Sequence, residues 1–157
     1  MKKTINSNMY ETTLDSVWAL FENYLDGERQ GLIVILSSTP LGDQARKALQ
    51  SSFSRLGYGK LACTFVGLQP ADAGLSLSSK DLLTLIEGLD PSILVVTDAE
   101  AATLCGKSYA RELPLDQRSR LYGREIRAFS SFESMIAASE SKQKAWALLK
   151  SLPKLSS

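Results

Sequence analysis

The chain contains no histidine. That absence removes every catalytic triad or dyad built on imidazole. Cysteine is scarce: Cys63 and Cys105 are the only two, too few for a four-thiolate zinc site or a four-cysteine iron–sulfur cluster. Each stands in an apolar stretch, where a lone thiol packs as a small hydrophobe and a disulfide framework is not expected. Glycine is missing where phosphates would need it. No Gly-x-Gly-x-x-Gly follows a strand pattern, no Gly-x-x-x-x-Gly-Lys-Ser/Thr occurs, and no Gly-x-Ser-x-Gly elbow is present. An excess of one charge is missing too. Lys and Arg number 18 against 17 Asp and Glu, so no global field draws the chain toward nucleic acid or a membrane surface. The longest apolar run, 32–36, is far too short to span a bilayer. The first residues carry Lys2 and Lys3 without an apolar stretch behind them, so no secretory signal is read and a cytoplasmic location is expected. Nothing in the sequence calls for a metal or a cofactor.

What is present is ordinary globular composition, 44% apolar and 22% charged over 157 residues, which predicts one domain with a sizeable core. The expected organisation is a flexible segment over 1–11, a single α/β domain over 12–152 and a tail over 153–157. Thr12 to Asp15 reads as a helix start resembling a capping box. Leu14, Val17, Trp18, Phe21 and Leu25 then share a helical face, and Asp26-Gly27 ends the helix. The run from Gly31 to Leu36 predicts a strand buried on both faces. Further strands are predicted over 61–66, 93–96 and 126–129, the last nearer an edge. Helices are predicted over 43–56, behind Ser78, from Thr97 to near Gly106, and over 132–138 and 140–151. Residues 111–123 read as a charged connection. Strands alternating with helices imply a parallel sheet with right-handed crossovers. The expected fold is therefore a three-layer α/β/α domain with a four-stranded parallel sheet.

Open α/β sheets bind ligands beyond the carboxyl ends of their strands. The polar residues predicted there are Ser37, Ser38, Thr39 and Asp43 after the first strand and Thr97 and Asp98 after the third. Ser130, Ser131 and Glu133 follow the fourth, while Thr64 lies within the second. Each also suits a plainer role. Thr97 and Asp98 are cap-forming types, Asp43 fits the positive end of a helix dipole, and Ser130 with Glu133 can cap the helix near Phe132. A serine without a base is a weak nucleophile. The nearest Ser-x-x-Lys, from Ser139 to Lys142, reads as an exposed helix start. Asp43 and Asp98 would support acid–base chemistry only if they met in a cleft. Arg111, Arg118, Arg120, Arg124 and Arg127 form a basic region that suits a nucleic acid or an acidic partner, although Glu112, Asp116 and Glu125 interleave with it.

The stretch from Pro91 to Gly106 (Pro-Ser-Ile-Leu-Val-Val-Thr-Asp-Ala-Glu-Ala-Ala-Thr-Leu-Cys-Gly) resembles bacterial uracil-DNA glycosylases, in which a proline precedes a buried strand and an alanine-bearing helix. The tail is similar as well: the strand through Gly123 to Phe129, then Ser130 to Ile136, then the lysine-rich helix with Trp146 and two leucines. Ala45 to Gly57 resembles that family's first helix. The likeness is one of pattern across most of 14–151. A shorter likeness is to the non-catalytic psi subunit of the bacterial clamp-loader complex.

The departures from the glycosylase pattern fall on its chemistry. Ser38 stands where that family carries its water-activating acid. Cys63 or Thr64 stands near its uracil-reading Asn. Ser130, Ser131 and Phe132 replace its His-Pro-Ser. A glycosylase must stabilise charge on the departing base, and these replacements remove the groups that do so. The resemblance therefore implies the fold and a non-catalytic role: a binding or accessory subunit in DNA replication or repair, with a protein partner expected. The alternatives are nucleic-acid or nucleotide binding through the 111–127 region and a divergent hydrolase using Asp43 or Asp98.

Overall fold

The computed structural model describes residues 13–60, 62–69 and 76–153. The expected flexible segment 1–11, the cap at Thr12, Leu61, residues 70–75, and all of the expected tail except Pro153 lie outside the described residues.

Two apolar clusters form because the central strands alternate their side chains between two faces. Strand β2 (Ile33–Ser37) is buried at all five positions. Its Val34 and Leu36 join one cluster, while Ile33 and Ile35 join the other. Parallel to it run β3 (Cys63–Gly67), β4 (Ile93–Val96) and β6 (Arg124–Ala128). Two further strands pair antiparallel at the edges: β1 (Leu25–Gly27) on β3 and β5 (Gln117–Leu121) on β6. The order is β1-β3-β2-β4-β6-β5. The sheet is thus mixed and six-stranded, where an all-parallel sheet of four was expected.

Helix α1 (13–21), α3 (Ser79–Leu89) and α4 (Ala99–Tyr109) cover the Val34/Leu36 face. Helix α2 (Asp43–Arg55) and the paired α5 (Phe132–Ile136) and α6 (Ser139–Lys150) cover the other. Leu25 belongs to β1 and not to the first helix. A 3-10 turn at Glu22–Tyr24 redirects the chain so that Leu25 pairs with Val66 and still buries its side chain. The 126–129 strand is not at an edge, since β5 lies beyond it. Strand β5 comes from the stretch expected to be a connection. Tyr122 and Gly123, both at positive φ, turn it back onto β6.

Caps also differ from expectation. Ser78 caps α3 as expected, accepting from Asp81 N at 3.1 Å. Asp98, not Thr97, caps α4, which runs three residues past Gly106. Ser131, not Ser130, caps α5.

Candidate functional site

The chain leaves β2 to one side for β3 and later returns to its other side for β4. The topological switch point is therefore the seam between β2 and β4, the place where an open α/β sheet parts its loops and leaves a crevice. Four of the expected site residues meet there: Ser37 and Ser38 at the end of β2, Thr97 and Asp98 at the end of β4.

The seam is laced shut. Thr97 N donates to Leu36 O at 2.9 Å, carrying the ladder past the last strand residue. The Thr97 hydroxyl, buried, donates to Ser37 Oγ at 2.8 Å. Ser38 N donates to Asp98 Oδ2 at 2.9 Å, and Ala101 N donates to Asp98 Oδ1 at 2.8 Å. Both carboxylate oxygens of Asp98 are thus committed to backbone N–H groups, one closing the seam and one capping α4. Hydrogen bonds from backbone N–H to a carboxylate are of the charge-assisted kind.

The neighbouring loops are tied down in the same way. Ala99 N donates to Ser130 O at 3.1 Å, and Ser130 N donates to Asp116 Oδ1 at 3.1 Å. Glu133 closes no box on its own helix. It crosses to α2, where Oε2 accepts from Gly42 N at 3.0 Å. Its carboxylate supplies the cap that Gly42 cannot, at the positive end of the α2 dipole. Asp43 lies in the first turn of α2, whereas the Asp98 carboxylate is held at the seam by Ser38 N and Ala101 N.

Two small depressions remain beside the seam. One, about 290 Å³, is walled by Ser37, Pro40, Tyr24 and Phe65. Arg46 crosses it, its Cζ 4.0 Å from the Phe65 ring centroid and its Nη1 2.7 Å from Asp26 Oδ2. The Arg46 hydrogen bond holds the Asp26 carboxyl below its ordinary value against the opposing effect of burial. The other, about 390 Å³, is lined by Ser38, Gln69, Glu100 and Lys107. Arg46 and Gln69 were not singled out in the sequence. Gln69 escaped because β3 ends at Gly67, past the predicted strand end.

Cys63 and Thr64 are not part of this edge. Ala62 O accepts from Ile33 N, so Cys63 pairs with Ile33 at the amino end of the sheet. There Thr64 Oγ1 donates to Glu28 O and accepts from Gly31 N at 3.0 Å. Burial pushes the Cys63 thiol up to about 12, and that of Cys105 likewise to about 12.

The five arginines do not form one surface. Arg127 is fully buried beneath α6. Its Nε donates to Ser151 Oγ at 2.9 Å, its Nη1 to Ile126 O at 2.8 Å and its Nη2 to Ser151 O at 3.2 Å, and Glu125 lies 3.1 Å away. Burial lowers its pKa and the Glu125 carboxylate raises it. Arg124 points to the opposite face. It pairs with Glu87 at 2.8 Å and Asp90 at 2.9 Å and donates to Pro91 O, tying down the end of α3. Arg118 and Arg120 are exposed on β5, Arg120 lying 3.3 Å from Glu125. Arg111 lies over the Tyr122 ring at 5.2 Å. Arg124 and Arg127 are therefore structural, and a partner would meet only Arg111, Arg118 and Arg120 of the five.

Among the described residues, no group of three or more Cys, Asp or Glu side chains is placed to hold a metal. No helix among them is long and apolar enough to cross a membrane. No protein-family model matches the chain, and no curated protein sequence matches it significantly.

Proposed function

We propose that this chain is a non-catalytic binding protein on a scaffold resembling the uracil-DNA glycosylases, serving as an accessory subunit in DNA replication or repair. The observation that carries this reading is the closed seam between β2 and β4. Its one carboxylate, Asp98, spends both oxygens on backbone N–H groups, and its hydroxyls, Thr97 and Ser37, bond to each other. A general base must be free to reach a substrate proton, and no group of this seam is placed for that. Without histidine, no imidazole can activate the hydroxyls, and the carboxylate oxygen nearest the Thr97 hydroxyl, Asp98 Oδ2 at 3.5 Å, already accepts from Ser38 N. The same observation counts against a hydrolase based on Asp98.

Gentle affinity purification of the tagged full chain tests the accessory role. The expected result is a stoichiometric protein partner of the replication or repair machinery, and recovery of the chain alone would count against the reading. The nucleic-acid alternative rests on the three exposed arginines. It requires oligonucleotide affinity that falls steeply with salt and that is lost on charge reversal at Arg111, Arg118 and Arg120.

A further inference from the structure

A groove of about 410 Å³ lies between α2 and α6, remote in role from the seam. Phe132, Ala145 and Leu149 are buried beneath it, so the apolar surface it offers comes from Ala48 of α2, Ile136 of α5 and Trp146 of α6, with Ser51, Ser52 and Gln143 beside them. Trp146, half-buried, forms part of the lining, and two cations lie over its ring, Arg55 Cζ at 5.9 Å and Lys150 Nζ at 5.6 Å from the centroid. The charged residues lining the groove are Arg55 and Lys142, and no carboxylate lines it. That bias is local, because the chain as a whole is nearly neutral. Neither Arg55 nor Lys142 forms an ion pair among the described residues, although Arg46, Arg120, Arg124 and Arg127 all do.

The two properties together select an occupant. An apolar surface gains free energy by burying apolar side chains, and Trp and Arg are the residue types that dominate interface hot spots. Unpaired cations at the rim favour a partner bearing carboxylates and speed its encounter. A nucleic-acid strand would need to stack bases on Trp146. That ring already carries two side-chain cations, and the half-buried apolar side chains beside it, Ala48 and Ile136, are aliphatic, which suits Leu or Phe better than a base.

We infer that this groove docks an acidic amphipathic segment of a partner protein, seating its apolar side chains on Ile136 and Trp146 and its carboxylates against Arg55 and Lys142. This rests on the reading of the chain as a binding protein and names the chemistry of its partner.

The test is an anisotropy titration of the full chain with a fluorescein-labelled peptide that carries Glu on one helical face and Leu and Phe on the other. A version with Gln for Glu and a labelled oligo-dT serve as comparators. The Glu peptide should bind about tenfold or more tighter than the Gln version, and Arg55→Glu with Lys142→Glu should cost at least a similar factor. Both substituted residues are exposed, so the double variant should keep the parent's circular dichroism and melting temperature. Equal affinity for the two peptides, or unchanged affinity in the folded double variant, would overturn the assignment. So would binding of oligo-dT alone that the double variant abolishes, which would make the groove a nucleic-acid site. Uracil excision is measured on the same preparation. Excision would overturn the non-catalytic reading whatever the peptide does, whereas no excision and no peptide binding would overturn the groove alone.

Discussion

Arg127 shows how far one side chain can depart from its expected place. In sequence it is one of five arginines in a basic stretch. In the structure it is a buried strut that satisfies carbonyls at the end of α6 and holds that helix to the sheet. A charge in the interior is tolerated only when paired and hydrogen-bonded, and Glu125 with four carbonyl oxygens and a hydroxyl supplies this. Removing one partner of such a set leaves the others unpaired. Arg127→Ala is expected to cost about 3 kcal/mol or more, read as a fall in the urea midpoint. Arg127→Lys should not restore it, because an ammonium cannot reproduce the planar fork. The two thiols give a second expectation. With their pKa values at about 12 and their side chains buried, Cys63 and Cys105 should resist alkylation at pH 8 in the folded protein. Both should react once urea unfolds it, by mass spectrometry, since the thiolate is the nucleophile. Prompt alkylation under native conditions would contradict the placement. The apolar setting of the cysteines was legible in sequence. The burial of Arg127 was not, because nothing local to Ile126-Arg127-Ala128 reveals the ends of α6 above it.

At the scale of elements, what could be read was what depends on near neighbours. The buried strand β2 is visible in its β-branched run. Helices α2, α3 and α6 are visible in their three- and four-residue spacing. Strand β5 was hidden because its period of two is written in charge. Arg118 and Arg120 face outward while Ser119 is half-buried and Leu121 buried, and an outer edge strand is commonly protected by such charges. Strand β1 was hidden because three residues make too short a pattern, and Leu25 continues the helical spacing before it. Packing between elements depends on one glycine that the sequence did not single out. A Cβ on Gly88 of α3 would lie 2.2 Å from Val17 Cγ2. A valine in a helix has little rotamer freedom with which to move aside. Gly88→Ala should therefore destabilise the fold by about 1 kcal/mol or more, because overpacking outweighs the gain in helix propensity of similar size. Val17→Ala in the same chain should cancel part of the cost, a coupling read from a double-mutant cycle. Equal or higher stability in Gly88→Ala alone would show that α1 does not close on α3 there.

The whole molecule gains from its paired carboxylates at neutral pH. Burial alone would raise the Glu87 carboxyl, but the hydrogen bonds from Tyr109 and Arg124 bring it below its ordinary value, and Arg46 lowers Asp26. A depressed carboxyl stabilises the fold above its unfolded pKa, and that contribution is lost as pH falls through the folded value. Both side chains are more than half exposed, so each contributes at most about 1 kcal/mol. The melting temperature should drop as pH falls below about 4, and Glu87→Gln should flatten part of that drop by removing one titrating partner.

The candidate site was legible in part. Ser37, Ser38, Thr97 and Asp98 do converge, because the ends of parallel strands must. That they converge to bond one another depends on which strands are neighbours, and sequence spacing does not carry that. The closed seam is the observation that supports the proposal of a binding role without catalysis. The most direct measurement is single-turnover incubation of a uracil-containing, end-labelled oligonucleotide with the full chain in excess, followed by alkaline cleavage. The account predicts no product above the blank, and no difference between the parent and Asp98→Asn or Asp43→Asn. Product formed by the parent and lost in Asp98→Asn would contradict it, and would mean that the seam opens to release its carboxylate for chemistry.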